Sequence, residues 1–102
     1  MDTIKRIPTY PGDVLKEELE CRKISQKKFS EVLGVSYTIL NEILNGKRPI
    51  TSDFALMVEA ALDINAELLV NMQTRYNMAV ARKESALANR LYEIRKMCAT
   101  LL

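Results

Sequence analysis

Apolar residues recur at three- and four-residue intervals along most of the chain, the spacing that places them on one side of an α-helix. Four of the predicted helices begin after good capping residues. The side chains of Ser25, Ser36, Thr51 and Asn65 can each accept a hydrogen bond from an unpaired first-turn N–H group. The first helix begins instead at Pro11, where the missing N–H of proline has no intrahelical partner to lose. The pattern predicts an all-α fold.

Five apolar stripes define the predicted core. Their members are Val14, Leu15 and Leu19; Phe29, Val32 and Leu33; Leu40, Ile43 and Leu44; Phe54, Val58, Ala61 and Leu62; and Leu68, Leu69, Met72 and Tyr76. The second and third helices are predicted over about residues 26–33 and 36–45. Gly34 ends the second helix, because the residue after a helix often needs a positive φ. Two short helices joined by a short turn with glycine are the signature of a helix-turn-helix.

The third helix has a polar side of unusual composition. At 100° per residue, Thr38, Asn41, Glu42 and Asn45 spread over that side, with Tyr37 at its margin. An ordinary solvated face, which is the alternative, usually carries charge pairs, but this one has no Lys or Arg. The cations flank it instead, at Lys27, Lys28, Lys47 and Arg48. Amides and hydroxyls suit base edges and cations suit phosphates, so the pattern predicts a DNA-binding surface.

Two kinds of DNA contact are predicted within this stretch. The N-terminal part of the third helix should enter the major groove first, so base contacts are assigned to Tyr37, Thr38, Asn41 and Glu42. Asn41 can pair with adenine through two hydrogen bonds, and Glu42 can either accept from cytosine or orient a neighbouring cation. Contacts to the DNA backbone are assigned to Lys27, Ser36, Asn45, Lys47 and Arg48.

Length and charge narrow the class of protein. A chain of 102 residues fits one domain with one small core. The 48% of apolar and 27% of charged residues are typical of a globular protein. Residues 22–48 carry six cations against two carboxylates, whereas residues 49–76 carry one cation against four carboxylates. The positive charge is therefore concentrated on the helix-turn-helix, as expected for a phosphate-binding surface.

Several function classes are not expected. The chain has no histidine, and Cys21 and Cys98 lack metal-ligand spacing. The carboxylates Glu17, Glu18 and Glu20 fall on a predicted helix exterior rather than in a cleft. No apolar run is long enough to span a membrane, and no signal peptide is visible. We therefore expect a cytoplasmic protein that is not an enzyme and takes no cofactor, metal or small-molecule substrate.

The stretch SQKKFSEVLGVSYTILNEILNGKRPIT resembles the Cro/repressor-type (XRE-like) helix-turn-helix family. With PTYPGDVLKEEL before it and NAELLVNMQTRYNMA after it, residues 7 to about 79 are similar to the HigA antitoxins of type II toxin–antitoxin modules. The resemblance implies a five-helix DNA-binding domain over residues 9–76, and a phosphate contact by Gln26. It also implies a HigB-like (RelE-type) ribonuclease toxin as partner. At Tyr10 the family usually has histidine, and near Leu69 it often has tryptophan.

The two ends of the chain are predicted to differ. Residues 1–8 are expected to form a flexible tail, whose Lys5 and Arg6 offer a possible basic arm along the DNA. Residues 77–102 are expected to extend the fifth helix without a break from Ala66 to about Ala99, unless Asn77 interrupts it. A further apolar stripe follows at Val80, Leu87, Leu91, Ile94, Cys98 and Leu101. This stripe must pack on a second copy of the chain, on a toxin or on its own domain. We assign its residues from Leu87 onward to a dimer or partner contact.

The residues themselves predict sequence-specific binding to double-stranded operator DNA. The resemblance implies that the protein is an antitoxin that neutralises its toxin and represses its own operon. A homodimer is expected, because one domain supplies few base contacts and two recognition helices can occupy major grooves about 34 Å apart on a palindrome. One alternative is a stand-alone transcriptional regulator of the repressor type without a toxin. Another is a protein-interaction module that no longer binds DNA.

Overall fold

The computed structural model describes residues 8–101, so the predicted basic arm with Lys5 and Arg6 lies outside the described residues. This range contains six α-helices and no strand. They are α1 (Pro11–Cys21), α2 (Gln26–Leu33), α3 (Tyr37–Leu44), α4 (Ser52–Leu62), α5 (Ala66–Arg82) and α6 (Ser85–Leu101). The predicted all-α class is confirmed. The predicted count of five helices with an extension is corrected to six.

The predicted helix starts are all present. Ser25 and Ser36 each accept a hydrogen bond from the backbone N–H three residues on, at 3.0 and 3.1 Å. Thr51 and Asn65 do the same for α4 and α5, at 3.2 and 2.8 Å. Gly34 ends α2 with φ of 73°, a conformation that glycine adopts without steric cost. These caps satisfy N–H groups that would otherwise have no partner.

The core lies between helices α1 to α5. Its buried apolar members are Leu15, Leu19, Phe29, Leu40, Ile43, Leu44, Ile50, Phe54, Ala55, Val58, Leu62, Ala66 and Leu69. The predicted stripe residues Val32, Ala61 and Leu68 are exposed instead. In α2, α4 and α5 the buried side of the helix is rotated from the predicted one, so that Ser30, Ala55 and Gln73 face inward. Each neighbouring helix covers only part of an apolar stripe, which leaves its edge in solvent.

The predicted continuous helix from Ala66 to Ala99 is wrong. The chain leaves α5 at Lys83 and starts α6 at Ser85, and Asn77, the predicted point of interruption, lies inside α5. The turn is closed by backbone hydrogen bonds from Lys83 to Val80 and from Glu84 to Ala81, both 3.1 Å long. The predicted domain boundary at residues 76 and 77 therefore falls within a regular helix.

Helix α6 stands apart from the core. It has no buried residue, and Leu91 is its only partly shielded side chain. The described chain is elongated, with principal extents of 56 × 31 × 23 Å. The C-terminal stripe is therefore not covered by its own domain, which was one of the three surfaces expected to pack on it. Within residues 8–101 every helix is too short or too polar to cross a bilayer.

Candidate nucleic-acid interface

Helix α3 packs on the core with one side and leaves the opposite side accessible to solvent. Leu40 and Leu44 are fully buried and Ile43 nearly so, which fixes the rotation of the helix about its axis. On the other side Tyr37 and Thr38 are exposed, and Asn41 and Glu42 are half-buried. The four residues predicted to contact bases therefore share one accessible side of α3. At its start, Ser36 is exposed and caps the helix through the Ile39 N–H.

A side-chain hydrogen bond between α2 and α3 orients Asn41. Its Nδ2 donates to Oε1 of Gln26, the first residue of α2, at 3.0 Å. The bond uses one of the two amide protons and leaves Oδ1 and the second proton available. Adenine presents an N6 donor and an N7 acceptor in the major groove, which is what these two free groups complement. Gln26, predicted to contact phosphate, thus also positions a predicted base-contacting side chain.

The ion pair of Glu42 favours one of its two predicted roles. Its Oε1 accepts from Nε and Nη2 of Arg48, at 3.0 and 2.9 Å. Because the Arg48 and Glu42 side chains are 50% and 36% exposed, the pair contributes little to stability, and its role is to hold the guanidinium beside α3. Lys47 lies exposed in the same loop as Arg48, between α3 and α4, and its backbone N–H donates to the backbone carbonyl of Glu42 at 2.8 Å. The geometry is that of a carboxylate orienting a neighbouring cation.

Tyr10 anchors the loop between α3 and α4 to the core, a role that was not predicted from the sequence. The side chain is buried, its hydroxyl donates to the backbone carbonyl of Arg48 at 2.7 Å, and its ring meets that of Tyr76 edge-on with centroids 4.9 Å apart. A Cβ on Gly12 would lie 2.5 Å from the Tyr10 ring, so this position has no space for a larger residue. Burial raises the pKa of the Tyr10 phenol, and nearby Tyr76 and Asp13 add to the increase.

Lys16 of α1 adds a further cation near the end of α3. Its Nζ donates to Oδ1 of Asn45 at 2.8 Å, and Nδ2 of Asn45 donates to the carbonyl of Asn41 at 2.8 Å. Asn45 therefore closes the end of α3 and connects it to α1. With Lys27 and Lys28 exposed at the start of α2, cations border α3 on more than one side.

Gln73 supports the loop after α3 from within the core. Its side chain is buried, Oε1 accepts from the Ile50 N–H at 2.9 Å, and Nε2 donates to Oδ1 of Asn77 at 2.9 Å. A glutamine in an otherwise apolar stripe is the signal that could have identified it, because buried amides need partners. The predicted contact residues Leu87, Leu91, Ile94, Cys98 and Leu101 lie on α6, outside this surface. Among residues 8–101 no cluster of potential metal ligands is present.

Comparison with known proteins agrees with this geometry. The sequence profile of a helix-turn-helix family matches residues 15–69. A structure of an addiction module antidote protein of a HigA family from Coxiella burnetii shares 32% sequence identity, covers 81% of this chain and 91% of that chain, and superposes with a TM-score of 0.73. The chain belongs to the HigA-type helix-turn-helix family. The predicted resemblance is thereby confirmed.

Two further relatives extend the comparison. The Pseudomonas aeruginosa antitoxin HigA, solved with the higBA promoter, has 29% identity and a TM-score of 0.73, with coverage of 82% of this chain and 90% of that chain. Virulence-associated protein I of Dichelobacter nodosus is 33% identical over 81 residues, which are 78% of this chain and 75% of the relative. The relatives are helix-turn-helix regulators and antitoxins, not enzymes.

Proposed function

We propose that this HigA-type chain is an antitoxin that binds the operator DNA of its own operon, represses it and neutralises a HigB-like ribonuclease toxin. The observation that carries the DNA-binding part is the accessible side of α3, where Gln26 holds Asn41 in place at 3.0 Å. A half-buried side chain held by a second one loses little conformational entropy on binding, which favours selective contacts.

The proposed division of labour follows from chemistry. Tyr37, Thr38 and Asn41 contact base edges, while Gln26, Lys27, Ser36, Asn45, Lys47 and Arg48 hold the DNA backbone. Glu42 places Arg48 through their 2.9 Å ion pair. Residues 9–76 form the DNA-binding domain in this proposal, and residues 77–102 the dimer or partner contact. Two copies put two α3 helices into major grooves about 34 Å apart on a palindromic operator.

A titration against the protein's own promoter tests DNA binding. Fluorescence anisotropy is measured with a promoter duplex and with a scrambled duplex of the same composition, for the wild type and for the double variant Thr38→Ala/Asn41→Ala. We expect the wild type to prefer the promoter and the variant to lose most of that preference. Promoter binding that persists unchanged in the variant would remove α3 as the recognition helix. No binding to either duplex would favour a protein-interaction module.

The toxin-binding part is supported by family membership, because the Coxiella burnetii relative is described as an addiction module antidote protein. The experiment is co-expression with the adjacent open reading frame, followed by size-exclusion chromatography. Co-elution with a short ribonuclease-like protein, whose toxicity the chain suppresses, is the expected result. If the neighbouring frame encodes no such protein and the chain still binds its promoter, the chain is a stand-alone regulator.

A further inference from the structure

Helix α6 carries an apolar stripe that its own chain leaves uncovered. The stripe follows intervals of four and three residues, which place its members on one side of the helix. They are Leu87, Leu91, Ile94, Cys98 and Leu101. Ile94 is 49% exposed and Leu101 82%. A helix that makes few contacts with its own domain gains little stability from packing, so the apolar stripe needs a covering surface. Helix α6, with this stripe, is here called the arm.

Positive charge borders the apolar stripe of α6 on both sides. At 100° per residue Arg90 and Arg95 flank the stripe, whereas Lys96 lies opposite to it, with its ammonium 5.5 Å from the centre of the Tyr92 ring. In a parallel pair of α6 helices, Arg90 of one copy would face Arg95 of the other, and like charges at such flanking positions repel. The arm therefore suits an acidic surface better than a parallel copy of itself.

Area also argues against a pair of α6 helices as the whole interface. A 17-residue helix is about 25 Å long, and a contact strip of about 10 Å width gives roughly 250 Å² on each partner. One helix pair would thus bury roughly 500 Å² in total, about half of what a stable interface needs. A second contact of similar size is required.

A matching surface lies between α4 and α5 of the same chain. This α4–α5 groove has a volume of about 240 Å³ and is lined by Ser52, Leu56, Ala66, Glu67, Val70 and Asn71. Leu56 is 56% exposed, although it is a large apolar residue in the middle of α4. Acidic side chains adjoin the groove, because Glu67 lines it and Asp53 follows Ser52 in the chain. Arm and groove are complementary in both polarity and charge.

We propose that two copies of the chain exchange arms, so that α6 of each copy lies in the α4–α5 groove of the other. Arg90 and Arg95 then face the acidic rim that includes Glu67. The exchange has two-fold symmetry, because each copy gives one arm and one groove. Its two contacts bury roughly 1,000 Å², which reaches the lower limit for a stable interface. The inference rests on the proposed function for the dimer itself, and it names the surfaces that join the copies.

Cross-linking between two differently tagged full-length populations tests the contact directly. Both carry Cys21→Ser; the first keeps Cys98 in the arm, and the second has Cys98→Ser with Asn71→Cys at the groove. After mixing, a short bismaleimide should link Cys98 of one tag to position 71 of the other. A control second population carries Glu31→Cys, on exposed α2, in place of Asn71→Cys and should give no link. Links only between two Cys98 side chains, or no links at all, would overturn the proposal.

A charge exchange tests the same contact in solution. Arg95→Glu and Glu67→Arg should each weaken the dimer about three- to tenfold in sedimentation experiments, and their combination should restore most of the affinity. Lys96→Glu is the matched control, because it makes the same charge change on the opposite side of α6 and should have less than a twofold effect. A wild type that stays monomeric, a combination no better than the single variants, or an equal effect of Lys96→Glu would each contradict the arrangement.

Neither experiment uses DNA or toxin, so the arm exchange and the proposed function can fail separately. A chain that cross-links as expected but binds no promoter retains the interface and loses its proposed role. A chain that binds its promoter but links elsewhere retains the role and loses this interface.

Discussion

Helices α3 and α6 are both amphipathic, yet they relate to the rest of the molecule in opposite ways. Helix α3 has eight residues and buries three leucine or isoleucine side chains, whereas α6 has 17 residues and buries none. The outward side of α3 is polar, and other side chains hold two of its members, Asn41 and Glu42, in place. The uncovered stripe of α6 is apolar. A ligand for α3 must therefore read hydrogen bonds, while a ligand for α6 must cover a hydrophobic stripe.

The largest expected effect comes from the buried side of α3. Leu40→Ala removes a fully buried side chain and should lower the free energy of unfolding by about 2–5 kcal/mol, because it leaves a cavity. Tyr92→Ala on α6 is the contrasting variant and should cost less than about 1 kcal/mol, since that ring is 58% exposed. Urea unfolding at one fixed protein concentration, followed by circular dichroism, measures both. Equal losses would mean that α6 is part of the folded core.

The next effect concerns the connection between α5 and the loop after α3. Gln73→Leu keeps the volume but removes the acceptor for the Ile50 N–H, and a buried donor without a partner should cost about 1–3 kcal/mol. Asn77→Ala is the control, because it removes only the outer bond of Gln73 and leaves the Ile50 contact in place. The same unfolding measurement applies. If Gln73→Leu is neutral, the loop does not depend on this hydrogen bond.

Removal of one hydroxyl should have a smaller effect on stability. Tyr10→Phe keeps the ring packed on Tyr76 and loses the 2.7 Å bond to the Arg48 carbonyl, which should cost about 0.5–1.5 kcal/mol at neutral pH. Tyr76→Phe is the matched control and should change stability less.

The raised pKa of Tyr10 adds a pH dependence to this comparison. The unfolded chain releases this proton first, near pH 10, so the folded state loses stability as the pH rises from there through the folded pKa. Denaturation midpoints at pH 8 and pH 11 should differ less in Tyr10→Phe than in the wild type. An identical alkaline loss in both proteins would contradict the assignment to Tyr10.

The smallest expected effect tests the orienting role of Gln26. Gln26→Ala leaves the Asn41 side chain intact but free to rotate, so promoter affinity should fall by about 1 kcal/mol or less. If Gln26 acts through Asn41, the same substitution should have little further effect on selectivity in an Asn41→Ala background, which a double-mutant cycle measures. Fully additive losses of selectivity would show that the two amides act independently.

Local signals allowed much of the fold to be predicted. The caps Ser25, Ser36, Thr51 and Asn65 bond within their own first turns, and Gly34 ends α2 by its own backbone conformation. The break at Lys83 was not predicted, because neither it nor Glu84 is a glycine or proline and Lys83 keeps right-handed helical angles.

The site residues that were predicted from the sequence lie in α2, in α3 and in the segments directly next to α3. Tyr10 bonds a residue 38 positions away, Lys16 one that is 29 away and Gln73 one that is 23 away. Such partners are determined by the packing of α1 against α3 and α5, which a single helical wheel does not contain. The same limit applies to Val32 and Leu68, which are 60% and 49% exposed although they lie on predicted core stripes.

The most direct test of the account compares Asn41→Ala with Lys47→Ala on a promoter duplex and a scrambled duplex across a range of salt concentrations. The account predicts that Asn41→Ala weakens promoter binding by about 1–3 kcal/mol, with the scrambled duplex and the salt dependence unchanged. Lys47→Ala should weaken both duplexes similarly and reduce the slope of log affinity against log salt by about one unit. If the two variants affect both duplexes and the slope alike, the division of α3 and its loop into base and phosphate contacts is wrong.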